Sequence, residues 1–215
     1  MAFPTSLTKP FLGLLAFAIV LLYVLGALDL ITIPGVLTLA LFLALGPLAM
    51  VGVLEVGRRL GERGNTLAVR AGMVYGIAAF AIWEVIMVAQ AGVRPLFRSH
   101  ITPQGVEVGL EETVRLIYRG VNTVQATMDV AFDIFYCLAV ILFSILMLEH
   151  PSFGRGLGIL GIVSGVGLLA LNLWTFPIPP AEAGLVDLGP VTGVWWLLVI
   201  IQLVRSERQR AGAPA

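Results

Sequence analysis

The chain has 215 residues, of which 59% are hydrophobic and 12% charged, with 13 basic residues balancing 13 acidic ones. A soluble domain carries about 25% charged residues, so a water-facing globule, a disordered chain and a nucleic-acid binder with a basic footprint are excluded, and lipid is the expected solvent. Cys137 is the only cysteine, which excludes an intrachain disulfide and a paired-cysteine metal site.

In chain order, the first apolar run covers residues 11–28 after Lys9, the only lysine. It is longer than a signal-peptide core and reads as a retained span. After the break at Ile33-Pro34-Gly35, runs at 36–56, 67–92, 124–148, 156–176 and 188–204 follow. Each approaches the roughly 20 apolar residues a spanning helix needs. Pro151 ends the fourth run, and Phe176-Pro177-Ile178-Pro179-Pro180 ends the fifth. The runs are continuous rather than alternating, so strands are not expected. The predicted fold is a single all-α membrane domain over 1–215, a six-helix transmembrane bundle with a cytoplasmic tail at 205–215.

The connection at 93–123 is long and polar. Val106, Leu110, Val114, Ile117 and Tyr118 recur at helical spacing, with Glu107, Glu111, Glu112, Arg115 and Arg119 on other faces. This predicts a separate amphipathic helix over about 106–120 at the outer interface, with a lid or a partner-docking surface as alternatives.

Cations set the orientation. Lys9, Arg58, Arg59, Arg63, Arg70, Arg155, Arg205, Arg208 and Arg210 fall on one side, against Arg94, Arg98, Arg115 and Arg119 on the other. The positive-inside rule then places both termini in the cytoplasm of a multi-pass cell (inner or plasma) membrane protein. Trp174, Trp195 and Trp196 fit an outer aromatic belt, Trp83 is expected to face lipid, and Gln202 to snorkel. Glu55 reads as an interfacial ion-pair partner of Arg58 or Arg59.

Gly72 and Gly76, Gly154 and Gly158, and Gly161 and Gly165 stand four apart. Such spacing lets helices approach closely, within the bundle or in a homo-oligomer.

Carboxylates at membrane depth are costly and mark sites. Glu84, Asp129 and Asp133 are the three. Asn122, Gln125, Asp129, Asp133 and Tyr136 step by three or four residues and share one helix face. Glu84 lies 14 residues past Arg70, about 21 Å along its helix, a depth close to that of Asp129. Asn172 falls in the same half. The candidate site for a small ligand or cation is therefore Glu84, Gln125, Asp129, Asp133, Tyr136 and Asn172, in a polar cavity open to the outside. The competing reading makes these acids protonated ties between helices. Acid–base catalysis is a third reading, but no nucleophile motif accompanies the acids, so no catalytic residue is assigned. Neither cofactor nor metal is expected. The histidines, His100 and His150, lie outside the apolar runs, which excludes a bundle-core haem, and Lys9 is too near the terminus for a retinal Schiff base.

The order Met128-Asp129-Val130-Ala131-Phe132-Asp133, Leu148-Glu149-His150-Pro151-Ser152-Phe153, Gly158-Ile159-Leu160-Gly161-Ile162-Val163-Ser164-Gly165, Pro177-Ile178-Pro179-Pro180 and Leu188-Gly189-Pro190 before Trp195-Trp196 resembles DUF4386-like small bacterial integral membrane proteins over residues 120–210. The resemblance implies about six spans and no catalytic residues. The leading functional reading is binding or conduction of a small ligand or cation. An accessory or scaffold subunit of a larger membrane complex is the alternative, and a membrane-embedded enzyme the third. Expected partners are the lipid bilayer, the ligand or cation, and a membrane-protein partner or second copy.

Overall fold

The computed structural model describes residues 35–64, 66–101 and 110–211. Among the described residues five helices run alternately up and down: α1 (Gly35–Gly61), α2 (Leu67–Ile101), α3 (Leu110–Met147), α4 (Arg155–Thr175) and α5 (Gly189–Ala211). Among the described residues there is no strand. Four stretches of the described residues are long and apolar enough to cross a membrane: Leu67–Val93, Glu112–Met147, Arg155–Thr175 and Gly189–Arg210. The protein is thus an all-α membrane protein. Large side chains such as Val74, Val85, Ile145, Val163 and Leu173 are exposed on its outer faces, where lipid is their natural neighbour.

The expectation of six transmembrane helices plus a separate amphipathic helix is corrected by these five helices and four candidate spans. The run at 11–28 lies outside the described residues. Helix α1 is not among the four spans, and Glu55, Arg58 and Arg59 charge its last two turns. The stretch from Leu110 onward does not lie flat at the interface, because it is the first part of α3. No proline separates Leu110 from Met147, and the Thr123 and Thr127 hydroxyls donate to the carbonyls of Arg119 and Thr123, one turn back on the same helix. Residues 106–109 lie outside the described residues.

Helix lengths set the shape. Asp133 of α3 meets Asn172 of α4. From that level α4 runs only three residues further, to Thr175, whereas α3 extends 23 residues back to Leu110. At 1.5 Å per residue, α3 overruns α4 by about 30 Å. Helix α5 starts deep instead: Leu188 packs on Gly167, eight residues before the end of α4.

Small residues allow the close approach. A Cβ at Gly161 would collide with the Ser144 hydroxyl and the Trp195 indole, and that indole donates to the Leu157 carbonyl at 2.9 Å. Gly72 faces Phe143, Gly76 faces Val53, Gly158 faces Ser144 and Leu148, and Gly165 faces Val140 and Ile141. Gly154 differs from this set. Nothing approaches it, and its φ of 81° makes it the turn residue that starts α4. Trp195 is fully buried and Trp196 nearly so, inside a core of Val53, Val140, Phe143, Met147, Val199, Ile200 and Leu203. They do not form the expected belt, because the deep start of α5 carries them into the bundle. Trp174 is 85% exposed near the end of α4.

The Arg-rich end is closed by an ion network. Arg58 Nε bonds Glu55 Oε2 at 2.8 Å, the local pair expected for Glu55. Arg59 is only 2% exposed. Its Nη1 bonds Glu62 at 2.9 Å and lies 3.7 Å from Glu207 of α5, while its Nη2 donates to Ser152 Oγ at 2.8 Å. Arg58 also reaches Glu207, and Arg210 reaches Glu62 at 2.8 Å. The arginines near Gly61 and those of the C-terminal helix therefore share one end of the bundle.

His150, in the turn between α3 and α4, is buried against this network and accepts the Ser152 N–H at Nδ1. Burial holds it below its ordinary value of 6.5, helped by the charges of Arg59 and Arg63. Burial alone would raise Glu62, but the Arg210 hydrogen bond and the Arg59 charge outweigh it and hold the carboxyl below 4.5. Both groups have depressed folded-state values, so each stabilises fully above its unfolded value and loses that contribution as pH falls through the folded one. The melting temperature in detergent should fall from about pH 7.5 to about pH 5, with the decline starting near pH 6.5 through His150. His150→Gln should flatten its first part, and a constant or rising melting temperature over that range would contradict the assignment.

Candidate functional site

The end opposite the arginine network holds a cavity of about 810 Å³. Trp83, Ile86, Met87 and Gln90 of α2 form one wall, and α3 from Tyr118 to Asp129 forms a second. Pro177, Ile178, Pro179 and Glu182 of the α4–α5 connection close the third side. Helical spacing explains the polar face: Arg119, Asn122, Gln125 and Asp129 all line the cavity from one stripe of α3.

The connection between α4 and α5 brings non-helical chain down beside the cavity. Between Thr175 and Gly189 the chain drops back about 12 Å, the rise from Gly167 to Thr175. Residues 181–187 are exposed there. Non-helical backbone at membrane depth is tolerated only when buried in protein or lining water. Short turns satisfy part of it, with Leu185 N–H on the Pro180 carbonyl at 2.9 Å and Ala183 N–H on that of Pro179 at 3.1 Å. Asp187 has a structural role, since its Oδ1 accepts the Gly189 N–H at 2.7 Å and caps α5. Glu182 and Asp187 lie within electrostatic reach of Asp129.

Below the cavity the bundle is filled by aromatic rings. Phe132 stacks on Tyr136 with centroids 5.3 Å apart, and Phe80 meets Tyr136 edge-on at 6.1 Å. Trp83 touches Phe132 at 5.2 Å, and Phe80 approaches Trp196 at 6.3 Å. Val140, Phe143, Met147 and Trp195 continue the seal toward the arginine network.

The six candidate residues separate into groups. Asp129 and Gln125 line the cavity. One turn deeper, Asp133 Oδ2 accepts from Asn172 Nδ2 at 3.1 Å; Asn172, 0% exposed, also donates to the Leu168 carbonyl. Tyr136 is tied to α5, its hydroxyl donating to the Thr192 carbonyl at 3.2 Å. Glu84 does not line the cavity. It occupies the α1-facing side of α2, where its carboxylate packs on Gly46. His100 lies where side chains are outside the described set.

Sequence reasoning passed over Trp83, which turns into the cavity rather than toward lipid, and Glu182, which reaches it from the loop. For Trp83 the signal was its phase: Ala79, Trp83, Ile86, Met87 and Gln90 repeat at three and four residues, one stripe apart from Glu84.

Asn172→Leu leaves the buried Asp133 oxygen without its donor and should cost about 1–2 kcal/mol in thermal unfolding. The Asp133→Leu/Asn172→Leu double variant should recover part of that loss; equal stability of wild type and Asn172→Leu would show that the pair holds nothing. Comparison of the chain with family models, with curated proteins and with solved structures returns no match.

Proposed function

We propose that this membrane protein binds a small polar ligand in the cavity at the end opposite its arginine network. The supporting observation is the Arg119–Asn122–Gln125–Asp129 stripe facing a cavity closed by the α4–α5 connection in a chain otherwise short of charge. Intramembrane ionisable groups are retained where they serve a site. Binding is favoured over conduction, because aromatic rings and the apolar core fill the bundle between Asp133 and Arg59. The orientation is part of the proposal. Arginines concentrate at the Gly61 end, so that end and the C-terminus face the cytoplasm and the cavity opens to the other side. The resemblance of residues 120–210 to DUF4386-like proteins agrees with a membrane location and assigns no residue a role.

One observation favours the second reading, an accessory subunit. The overrunning part of α3 exposes Leu116, Ile117 and Val124, a handle for a membrane-protein partner.

Cys137 is fully buried, so a Cys137→Ala background serves labelling. A membrane-impermeant maleimide added to intact cells should modify Ala126→Cys, in the cavity wall, and leave Val199→Cys, in the core, unreacted. Silence at 126, or equal reaction at 199, refutes the one-ended cavity.

A further inference from the structure

The cavity is unevenly charged along its length. Asp129 lies at its inner end on α3, and among the described residues its side chain makes no hydrogen bond and no ion pair. The charges that act on it are those of Glu182 and Asp187, both acidic. Arg119, the cation of the same wall, stands ten residues away, about 15 Å along the helix. A carboxylate at membrane depth is costly without a positive partner, and further acids beside it add to that cost. Among the described residues no cation reaches this level, so a positive charge from outside the chain is what the inner end lacks.

Size and wall chemistry select the kind of cation. The volume of about 810 Å³ is that of a small-molecule site rather than of a bare ion. Among the described residues no three metal-ligating side chains stand together, so the donors suit a single ammonium better than a coordinated metal. Ile86, Met87, Pro177 and Ile178 line the same space and suit an apolar body attached to that charge. An anionic group has no place beside it. The indole Nε1 of Trp83 and the amide Nε2 of Gln125 are enclosed in the protein, and Arg119 is too far away for a molecule with adjacent charges to reach both it and Asp129.

We infer that the cavity takes a small organic ammonium ion of the alkylamine or arylalkylamine type, with its charge at Asp129 and Glu182 and its apolar body against Ile86, Met87 and Ile178. This inference rests on the reading of the cavity as a ligand site.

The test uses the full chain in nanodiscs of uncharged lipid. Binding of radiolabelled phenethylamine is read by equilibrium dialysis, and isopentylamine, isopentanol, L-leucine, 4-methylpentanoate and sodium chloride compete against it. Isopentylamine should compete about tenfold or more strongly than each of the others. Asp129→Asn should weaken amine binding by about tenfold, and Glu182→Gln, whose carboxylate is exposed, by about threefold. Arg119→Gln should not weaken it, whereas a site for an anion or a zwitterion would lose affinity. The ligand-free melting temperature confirms that each variant folds. Equal competition by isopentanol would make the cavity an apolar pocket, equal competition by sodium chloride a site for any cation, and equal competition by L-leucine a zwitterion site; each overturns the inference. Unchanged binding in Asp129→Asn, or no amine binding at all, overturns it as well. If Ala126→Cys still labels in that last case, the cavity reading survives; if it does not, both fall together.

Discussion

The guanidinium of Arg59 is taken out of water where three chain segments meet: the end of α1, the turn between α3 and α4, and the end of α5. A charge in that position is tolerated only if its partners stay in place. Glu62, Ser152 and Glu207 are those partners, and Arg58 and Arg210 hold the two glutamates in turn. The network fixes α5 along its length, because Glu207 is twelve residues, about 18 Å, from Trp195. With α5 held there, both tryptophans enter the core and the Arg-rich end is sealed.

That seal gives the opposite end its character. A helix pinned deep at one end and capped by Asp187 at the other leaves a long return from α4, and this return descends beside α3 with its backbone exposed. The polar stripe of α3 then lines a cavity beside this return. Two groups of charges stand apart among the described residues, with Glu84 packed on Gly46 and Asp133 tied to Asn172 in neither. Those near Arg59 neutralise one another and hold helices together. Arg119, Asp129 and Glu182 line the cavity at the other end, where ionisable groups at membrane depth are expected to serve a site.

Much of this was legible in the residues. Hydropathy located the described helices to within a few residues at most ends. The local Glu55–Arg58 pair followed from spacing three, and the α3 stripe from its steps of three and four. Rise per residue placed Glu84 and Asp129 at one depth but carried no information on azimuth. Which neighbour each face of α2 meets depends on packing, and Glu84 meets α1 while Trp83 meets α3. The pairing of Arg58 with Glu207 joins residues 149 apart, and no local pattern encodes it. The continuity of α3 through its polar first part was hidden because a change of composition resembles a change of element.

The central claim is the division between structural and functional charge, and one comparison tests it directly. Thermal unfolding of Arg59→Met and Asp129→Asn is followed in the same detergent at neutral pH. Arg59→Met should lose about 2 kcal/mol, since it removes the buried hydrogen bonds to Glu62 and Ser152 and one of the two cations beside Glu207. Asp129→Asn should be neutral or stabilising, as expected for a group held at a site at the expense of stability. Equal losses in the two variants would contradict the account, because Asp129 would then be one more tie in the bundle.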